Sequence, residues 1–175
     1  TITIPFYPLI ALVIKLESRG PVFYSQKRLG FLGKPFFMFK FRTMINNAEK
    51  NGPEWAKVND SRITRVGKFL RKTRIDELPQ MFNILSGDMS FIGPRAERPE
   101  FIEQLEKQIP FYRQRLLVRP GASGWAQVNY KYGASVEDSL EKLQYDLYYI
   151  KNRNWYIDIS IVLKTIRIMM SGAGN

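Results

Sequence analysis

Two short runs of β-forming residues, 21–28 and 35–42, are separated by a glycine-containing turn. Aromatic and β-branched runs bounded in this way predict a β-hairpin. Alternation along the second run places Lys40 and Arg42 on one face of the strand. The opposite face carries the phenylalanines Phe37, Phe39 and Phe41. The pattern does not decide whether Lys40 and Arg42 are solvated surface charges or bind a ligand.

Helical periodicity predicts a basic amphipathic helix in the centre of the chain. Apolar residues recur three or four positions apart over 63–70, with basic residues between them. Such a helix suits the surface of an anionic membrane, although a solvated charged face is an equally ordinary explanation. A further helix is expected over 136–151. The Ile-rich stretch 155–170 suits either packing in the protein interior or contact with a membrane interface.

The N-terminal segment from Pro5 to Ile14 is uncharged and mostly apolar. As a helix it would reach only about 15 Å, roughly half of the ~30 Å hydrocarbon core, so it cannot cross a bilayer. The segment could enter one leaflet, or it could be a buried helix of a soluble domain. In the first case Pro5 or Pro8 would break a membrane helix, and in the second case the prolines would mark a helix start.

Asp76 and Glu77 are adjacent acids that follow a stretch, 61–75, with six basic residues and no acidic one. Nearby cations favour the charged form of a carboxylate and can hold an anionic substrate against it, so this contrast predicts a reaction centre for phosphate chemistry. The pair also opens a predicted helix, which makes Asp76 a candidate N-cap beside free N–H groups. The expected apolar stripe of this helix is formed by Leu78, Met81, Phe82 and Leu85.

Composition restricts the chemistry that this chain can support. Its 175 residues are enough for one domain, and the absence of Cys and His excludes disulfides, Cys/His zinc sites and triads that use imidazole. The formal net charge of +11 favours polyanionic partners. Aromatic residues beside basic ones suit a platform for single-stranded nucleic acid and a membrane interface equally well, so both classes of partner are open.

Two turn-rich loops, 87–99 and 119–129, each place an arginine beside Pro and Gly. A backbone of this kind can present a guanidinium group to phosphate oxygens. Arg95 and Arg119 are therefore candidate anion-binding residues. Together with the acid pair and the hairpin cations they form a more specific set, because one site would hold a nucleophile and the groups that bind its anionic substrate.

Five motifs occur in order along the chain: Lys40-Phe41-Arg42-Thr43-Met44, Asp76-Glu77-Leu78-Pro79-Gln80, Gly87-Asp88-Met89-Ser90, Gly93-Pro94-Arg95 and Arg119-Pro120-Gly121. On these motifs the chain resembles the bacterial sugar transferases, the monotopic phosphoglycosyl transferases, over nearly its whole length. The resemblance implies a predominantly helical α+β fold with a small β-hairpin and amphipathic interfacial helices. Residues 1–175 would form a single catalytic domain.

Within that domain, the resemblance implies that 1–16 is the remainder of a reentrant membrane helix, broken at Pro5 or Pro8. Residues 17–175 would be the catalytic part, on the cytoplasmic face of a bacterial inner membrane. Anionic membrane lipid and a second copy of the chain are further expected partners, whereas nucleic acid is not. The alternative interpretation is a basic, non-catalytic nucleic-acid-binding domain.

The activity implied by the resemblance is transfer of a sugar-1-phosphate from a UDP-sugar to polyprenol (undecaprenyl) phosphate, with release of UMP. Asp76 would be the nucleophile, forming a phosphoglycosyl-aspartate, and would contact a Mg²⁺ ion. Glu77 would assist the acceptor or the metal. The expected substrate-binding residues are Lys40, Arg42, Arg95, Arg119 and Gln127. The family's Pro-Arg-Pro loop reads Pro94-Arg95-Ala96 here, so this loop lacks a stiffening proline after its arginine.

Overall fold

A computed structural model describes residues 4–50, 52, 60–130, 133 and 135–171, so residues 1–3 of the expected membrane helix lie outside the described part. Its α-helices are α1 (Tyr7–Glu17), α2 (Arg65–Lys72), α3 (Gln80–Leu85), α4 (Pro99–Leu105), α5 (Trp125–Asn129), α6 (Val136–Asn152) and α7 (Trp155–Met170). Its strands are β1 (Phe23–Leu29), β2 (Pro35–Phe41), β3 (Ser90–Ile92) and β4 (Gly121–Ser123). The prediction of a predominantly helical α+β fold is confirmed.

The predicted hairpin is confirmed, but the packed face of β2 differs from the expected one. β1 and β2 pair antiparallel, with Phe23 opposite Phe41. Phe36 and Met38 are buried in a cluster with Met89 and Ala96, beneath the face that also carries Lys40. On the predicted apolar face, Phe41 is buried, whereas Phe37 and Phe39 are 60% and 39% exposed. The hairpin therefore carries exposed aromatic side chains on the face opposite the cation.

Helix α3 buries two polar side chains and exposes two apolar ones. Gln80 and Asn83 are buried, whereas Phe82 and Leu85 are 47% and 80% exposed. Leu78 of the predicted apolar stripe packs against a buried cluster, but Phe82 and Leu85 do not form the packed face. Asn83 explains this orientation, because its amide pairs with the backbone of β2 as a neighbouring strand would. Asn83 Nδ2 donates to the Phe37 carbonyl at 2.8 Å, and the Phe39 amide donates to Asn83 Oδ1 at 3.0 Å.

Helix α1 packs against β2 and α2, where Ile14 is buried with Phe41 and Leu70. The Glu17 carboxylate, at the end of α1, accepts hydrogen bonds from the first two amides of α2, at 2.7 and 2.9 Å. The predicted basic helix is confirmed as α2, although it has only 8 residues. Pro8 lies in the first turn of α1, which suits a helix start. None of the helices described is both long and apolar enough to span a bilayer.

Strands β3 and β4 bring the two turn-rich loops together, since they pair in parallel with Ile92 opposite Ser123. The backbones approach so closely that a side chain at Gly93 would collide with the Arg119 carbonyl. Beside them, α4, the 3₁₀ helix Tyr112–Leu117 and α6 enclose an apolar cluster. The helix expected over 136–151 is confirmed as α6, and α7 covers 155–170.

Candidate active site

A cavity of about 880 Å³ opens beside the hairpin, and both acids of the predicted reaction centre line it. Most of the charged side chains in its wall are basic, among them Lys40, Arg71 and Arg95. The cavity lies within the size range of small-molecule sites, about 300–1,000 Å³. Its charge favours an anionic ligand of the size of a nucleotide.

Asp76 lies in a short 3₁₀ helix, Ile75–Glu77, that links α2 to α3. The prediction that Asp76 caps a helix is wrong, because α3 begins only at Gln80 and Pro79 occupies its N-cap position. The chain turns sharply before Asp76, since Arg74 adopts a left-handed conformation with φ 59°. Such backbone conformations cost about 1–3 kcal/mol and occur most often at functional sites.

The Asp76 carboxyl group is only 6% exposed, and its Oδ1 atom has no hydrogen-bond partner in the described part of the chain. Burial raises the pKa of Asp76 above its ordinary value, although Lys40 and the neighbouring arginines oppose this effect. The expectation that nearby cations keep this acid ionised therefore needs correction, because desolvation outweighs the surrounding cations. The fold also buries one carboxyl oxygen without satisfying it among the described residues.

Glu77 lines the same cavity as Asp76 and forms the centre of an ion-pair network. Its carboxylate lies 2.6 Å from Lys40 Nζ, 3.3 Å from Arg74 Nη1 and 3.5 Å from Arg95 Nη1. These cations hold the pKa of Glu77 well below its usual range despite its burial. A carboxylate that stays ionised between three cations is suited to positioning them, not to accepting a proton.

Two cations beside Asp76 were not singled out as site residues in the sequence analysis. Arg71, on the last turn of α2, lines the cavity and donates from Nε to Thr43 Oγ1 at 2.9 Å. Arg74 lines the cavity and pairs with Glu77. Their signal was the basic stretch 61–75, but helical spacing cannot show which of its residues face the acid pair.

Of the remaining predicted site residues, some line the cavity and one does not. Lys40 and Arg95 meet at Glu77, as the motif order implies. Gln127 lines the same cavity and buries an Oε1 atom without a partner among the described residues. Arg119 is exposed and outside the cavity wall.

Arg42 reaches the cavity wall but donates to the Ser18 and Arg19 carbonyls at 2.7 and 2.9 Å. Its guanidinium group therefore holds the end of α1, and substrate binding by Arg42 finds no support in these contacts.

These residues fit a magnesium site that is completed by the phosphates of a bound substrate. Among the described residues there is no group of three acidic side chains that could enclose a metal. Mg²⁺ is commonly held by one or two carboxylates together with substrate phosphates and water. The unpartnered Oδ1 of Asp76 suits such an open site, in which a bound diphosphate would supply the other oxygen ligands.

Comparisons with known proteins identify the family that this chain resembles. The family model described as "Bacterial sugar transferase" matches residues 1–172. A relative from Aeromonas hydrophila, named UDP-N-acetylgalactosamine-undecaprenyl-phosphate N-acetylgalactosaminephosphotransferase, is 51% identical over 99% of this chain and 42% of its own length. Two relatives named UDP-glucose:undecaprenyl-phosphate glucose-1-phosphate transferase are each 43% identical. The one from Xanthomonas campestris pv. campestris matches 94% of this chain, and the one from Escherichia coli (strain K12) matches 93%.

The chain spans 42% of the length of the Aeromonas relative and 35% of each of the other two. The match nevertheless includes almost every residue of this chain, and the motifs that carried the resemblance lie within it. The chain therefore belongs to the bacterial sugar transferase family.

Proposed function

We propose that this chain transfers a sugar-1-phosphate from a UDP-sugar to undecaprenyl phosphate and releases UMP. The observation that carries the proposal is the buried Asp76 carboxyl, with an unpartnered oxygen, in the wall of a basic cavity. The names of the relatives support the substrate classes. They do not favour the alternative of a non-catalytic nucleic-acid-binding domain.

In the first step, ionised Asp76 attacks the phosphorus that carries the sugar. A bond forms between a carboxylate oxygen and this β-phosphorus, and the bond from the β-phosphorus to the bridging oxygen breaks. UMP leaves with that oxygen and its electron pair. Lys40, Arg71 and Arg95 lie in the same cavity wall, where their charges would stabilise the negative charge of the diphosphate and of the departing UMP.

In the second step, a phosphate oxygen of undecaprenyl phosphate attacks the phosphorus of the phosphoglycosyl-aspartate. The bond from phosphorus to the Asp76 oxygen breaks, which restores the free carboxylate and leaves an undecaprenyl diphosphate sugar. A covalent intermediate of this kind divides one transfer between two anionic phosphates into two simpler displacements. The open side of the Asp76 carboxyl group is required in both steps.

Mg²⁺ would be held by Asp76 and the substrate phosphates, where its chemistry is to neutralise the diphosphate charge. For Glu77 we propose a positioning role in place of the acceptor or metal contact that the resemblance implies. Its contacts with Lys40, Arg74 and Arg95 support a positioning role, in which one carboxylate fixes three cations around the reacting phosphate.

The acceptor is a lipid, and an apolar surface on this chain suits contact with a membrane. We assign that surface to Leu9, Leu12 and Leu16 of α1, Phe37 and Phe39 of β2, and Phe82 and Leu85 of α3, all exposed. These elements adjoin at Tyr7, whose ring lies 5.0 Å from Phe41 and 6.4 Å from Phe82. With this surface bound to the cytoplasmic face of an inner membrane, the cavity would receive a soluble UDP-sugar and a membrane-bound acceptor.

The covalent step is tested by Asp76→Asn, which keeps the size of the side chain but removes the nucleophilic charge. We expect UMP release in the presence of undecaprenyl phosphate to fall by about 10³-fold or more, with the unfolding temperature retained. Wild-type protein incubated with a UDP-sugar labelled in the β-phosphate should also retain label after denaturation, and Asp76→Asn should not. Undiminished turnover by the variant would refute the role of Asp76. A panel that includes UDP-N-acetylgalactosamine and UDP-glucose identifies the sugar.

A further inference from the structure

Four consecutive backbone carbonyls, from Pro94 to Glu97, accept hydrogen bonds in the loop that carries Arg95. The donors in chain order are the Gly121 amide at 2.9 Å, the Arg115 guanidinium at 3.2 Å, the Arg28 guanidinium at 3.0 Å and the Leu29 amide at 3.0 Å. Such complete use of a loop's acceptors leaves its backbone little freedom to rotate. The contacts to Arg95 and Ala96 come from side chains, so they depend on how two arginines are themselves held.

Arg115 is held by a buried ion pair with α6. Its side chain and that of Asp146 are 5% and 2% exposed, and Nη2 lies 2.7 Å from Asp146 Oδ2. The other end of the guanidinium group donates from Nη1 to the Tyr112 hydroxyl at 2.8 Å. Because Nη2 also donates to the Arg95 carbonyl, the planar group joins α6 to the loop in one fixed geometry.

Among the three cations around Glu77, Arg95 forms the longest ion pair with that carboxylate. Its side chain is 39% exposed, and its nitrogen lies at 3.5 Å from Glu77. A residue followed by proline is confined to extended backbone conformations, but Ala96 imposes no such restriction on Arg95. The direction of the Arg95 side chain therefore depends on hydrogen bonds to the loop carbonyls.

We propose that Arg115 and Asp146 are positioning residues that aim Arg95 at the substrate phosphate. This inference rests on the proposed function, in which Arg95 binds the diphosphate. Asp146 fixes the guanidinium group of Arg115, and Arg115 fixes the backbone of Arg95. Neither residue has to touch the reacting atoms, and their effect on transfer passes through Arg95.

The two residues are best removed together. Loss of one partner leaves a buried uncompensated charge and destabilises the fold, whereas replacement of both by apolar residues of similar size is often neutral. Arg115→Met combined with Asp146→Leu should therefore remain folded while the hydrogen bond to the Arg95 carbonyl is lost. Arg115→Lys is a second variant, which keeps a charge beside Asp146 but lacks the fork that reaches Tyr112 and the carbonyl together.

A double-mutant cycle with Arg95→Ala separates positioning from general stability. With Arg95 present, we expect Arg115→Met/Asp146→Leu to lower kcat/KM for the UDP-sugar by about 10- to 100-fold. In the Arg95→Ala protein the same pair of changes should lower it by less than about twofold, since no guanidinium group remains to be aimed. Equal losses in both backgrounds would overturn the inference, as would full activity of the folded double variant or of Arg115→Lys.

Tyr149→Phe is the matched control on the same helix. Tyr149 is buried, and its hydroxyl donates to Asp158 Oδ1 of α7 at 2.9 Å without touching the Arg95 loop. We expect this variant to lose some thermal stability while kcat/KM stays within about twofold of wild type. A loss of activity equal to that of the Arg115/Asp146 variants at matched stability would show a general structural effect and would also overturn the inference.

Hydrogen exchange in the absence of substrate distinguishes failure of this inference from failure of the proposed function. The Leu29 and Gly121 amides donate to loop carbonyls, so their exchange reports release of the loop. Exchange at both amides should become faster in Arg115→Met/Asp146→Leu and stay unchanged in Tyr149→Phe. Unchanged exchange in the first variant contradicts the positioning role, whether or not the wild-type protein releases UMP.

Discussion

Asp76 and Asp146 carry the same side chain in similarly buried places, 6% and 1% exposed, and burial raises the pKa of both, for Asp146 to about 6. Their surroundings differ. Asp146 lies on a regular helix and binds Arg115, whereas Asp76 follows a left-handed residue and leaves one oxygen without a partner. Burial alone therefore does not distinguish the proposed nucleophile from an acid that forms a structural ion pair. The distinguishing feature is a polar atom that the fold buries without satisfying.

The largest expected effect on stability comes from Asp146→Asn, and Asp76→Asn is its matched comparison. Asp146→Asn removes the nearer counterion of the buried Arg115 and leaves only Glu97, at 3.9 Å, so we expect a loss of about 3–5 kcal/mol in the free energy of unfolding. Asp76→Asn breaks no hydrogen bond that Oδ1 makes, so its unfolding free energy should equal or exceed that of the wild type. Urea denaturation of both variants measures the contrast. Equal destabilisation would remove the difference drawn between the two acids.

Asn83 extends the comparison to a buried amide with both of its groups satisfied. Asn83→Ala strips hydrogen bonds from Phe37 and Phe39 and should cost about 1–3 kcal/mol. Leu85→Ser, at an 80% exposed position of the same helix, should change stability by less than about 0.5 kcal/mol. Urea denaturation in detergent measures both, and a greater loss for Leu85→Ser would show that α3 packs through its apolar side.

A smaller effect is expected in acid. The pKa of Glu77 in the folded chain lies below its ordinary value of 4.5, so its ion pairs stabilise the fold above that pH. This contribution is lost as the pH falls below 4.5, because the unfolded state then binds a proton that the folded state does not, which stabilises the unfolded state. Glu77→Gln should therefore show a flatter decline in unfolding temperature below pH 4.5. A decline as steep as that of the wild type would argue against the network.

The smallest expected effect is a displacement of the pH profile. Lys40 lowers the pKa of Asp76, so Lys40→Met should raise it further. Because attack requires ionised Asp76, the acidic limb of kcat should move to higher pH. Lys34→Met, in the exposed hairpin turn, provides the charge-matched control and should leave the limb in place. A shift to lower pH in Lys40→Met would contradict this account of the site.

Local pattern was sufficient for the hairpin and for α6, whereas the meeting of Lys40 and Arg95 with the acid pair was expected only from the combined motifs. Local pattern failed where an apolar stripe and a packed face differ, as at α3, because periodicity reports which residues share a face and not what covers it. Local pattern also could not predict the roles of Arg42 and Arg115. Both donate to backbone carbonyls at least 20 positions away, and a carbonyl has no sequence signal.

The side-chain amide of Asn83 has a consequence for self-association. A two-stranded sheet exposes the outer edge of each strand, and such an edge can recruit a strand from another molecule. The Asn83 amide occupies the outward carbonyl of Phe37 and the outward N–H of Phe39, at the centre of β2 and between two exposed aromatic rings. One asparagine thus blocks this edge against aggregation at the place where the hairpin is most hydrophobic.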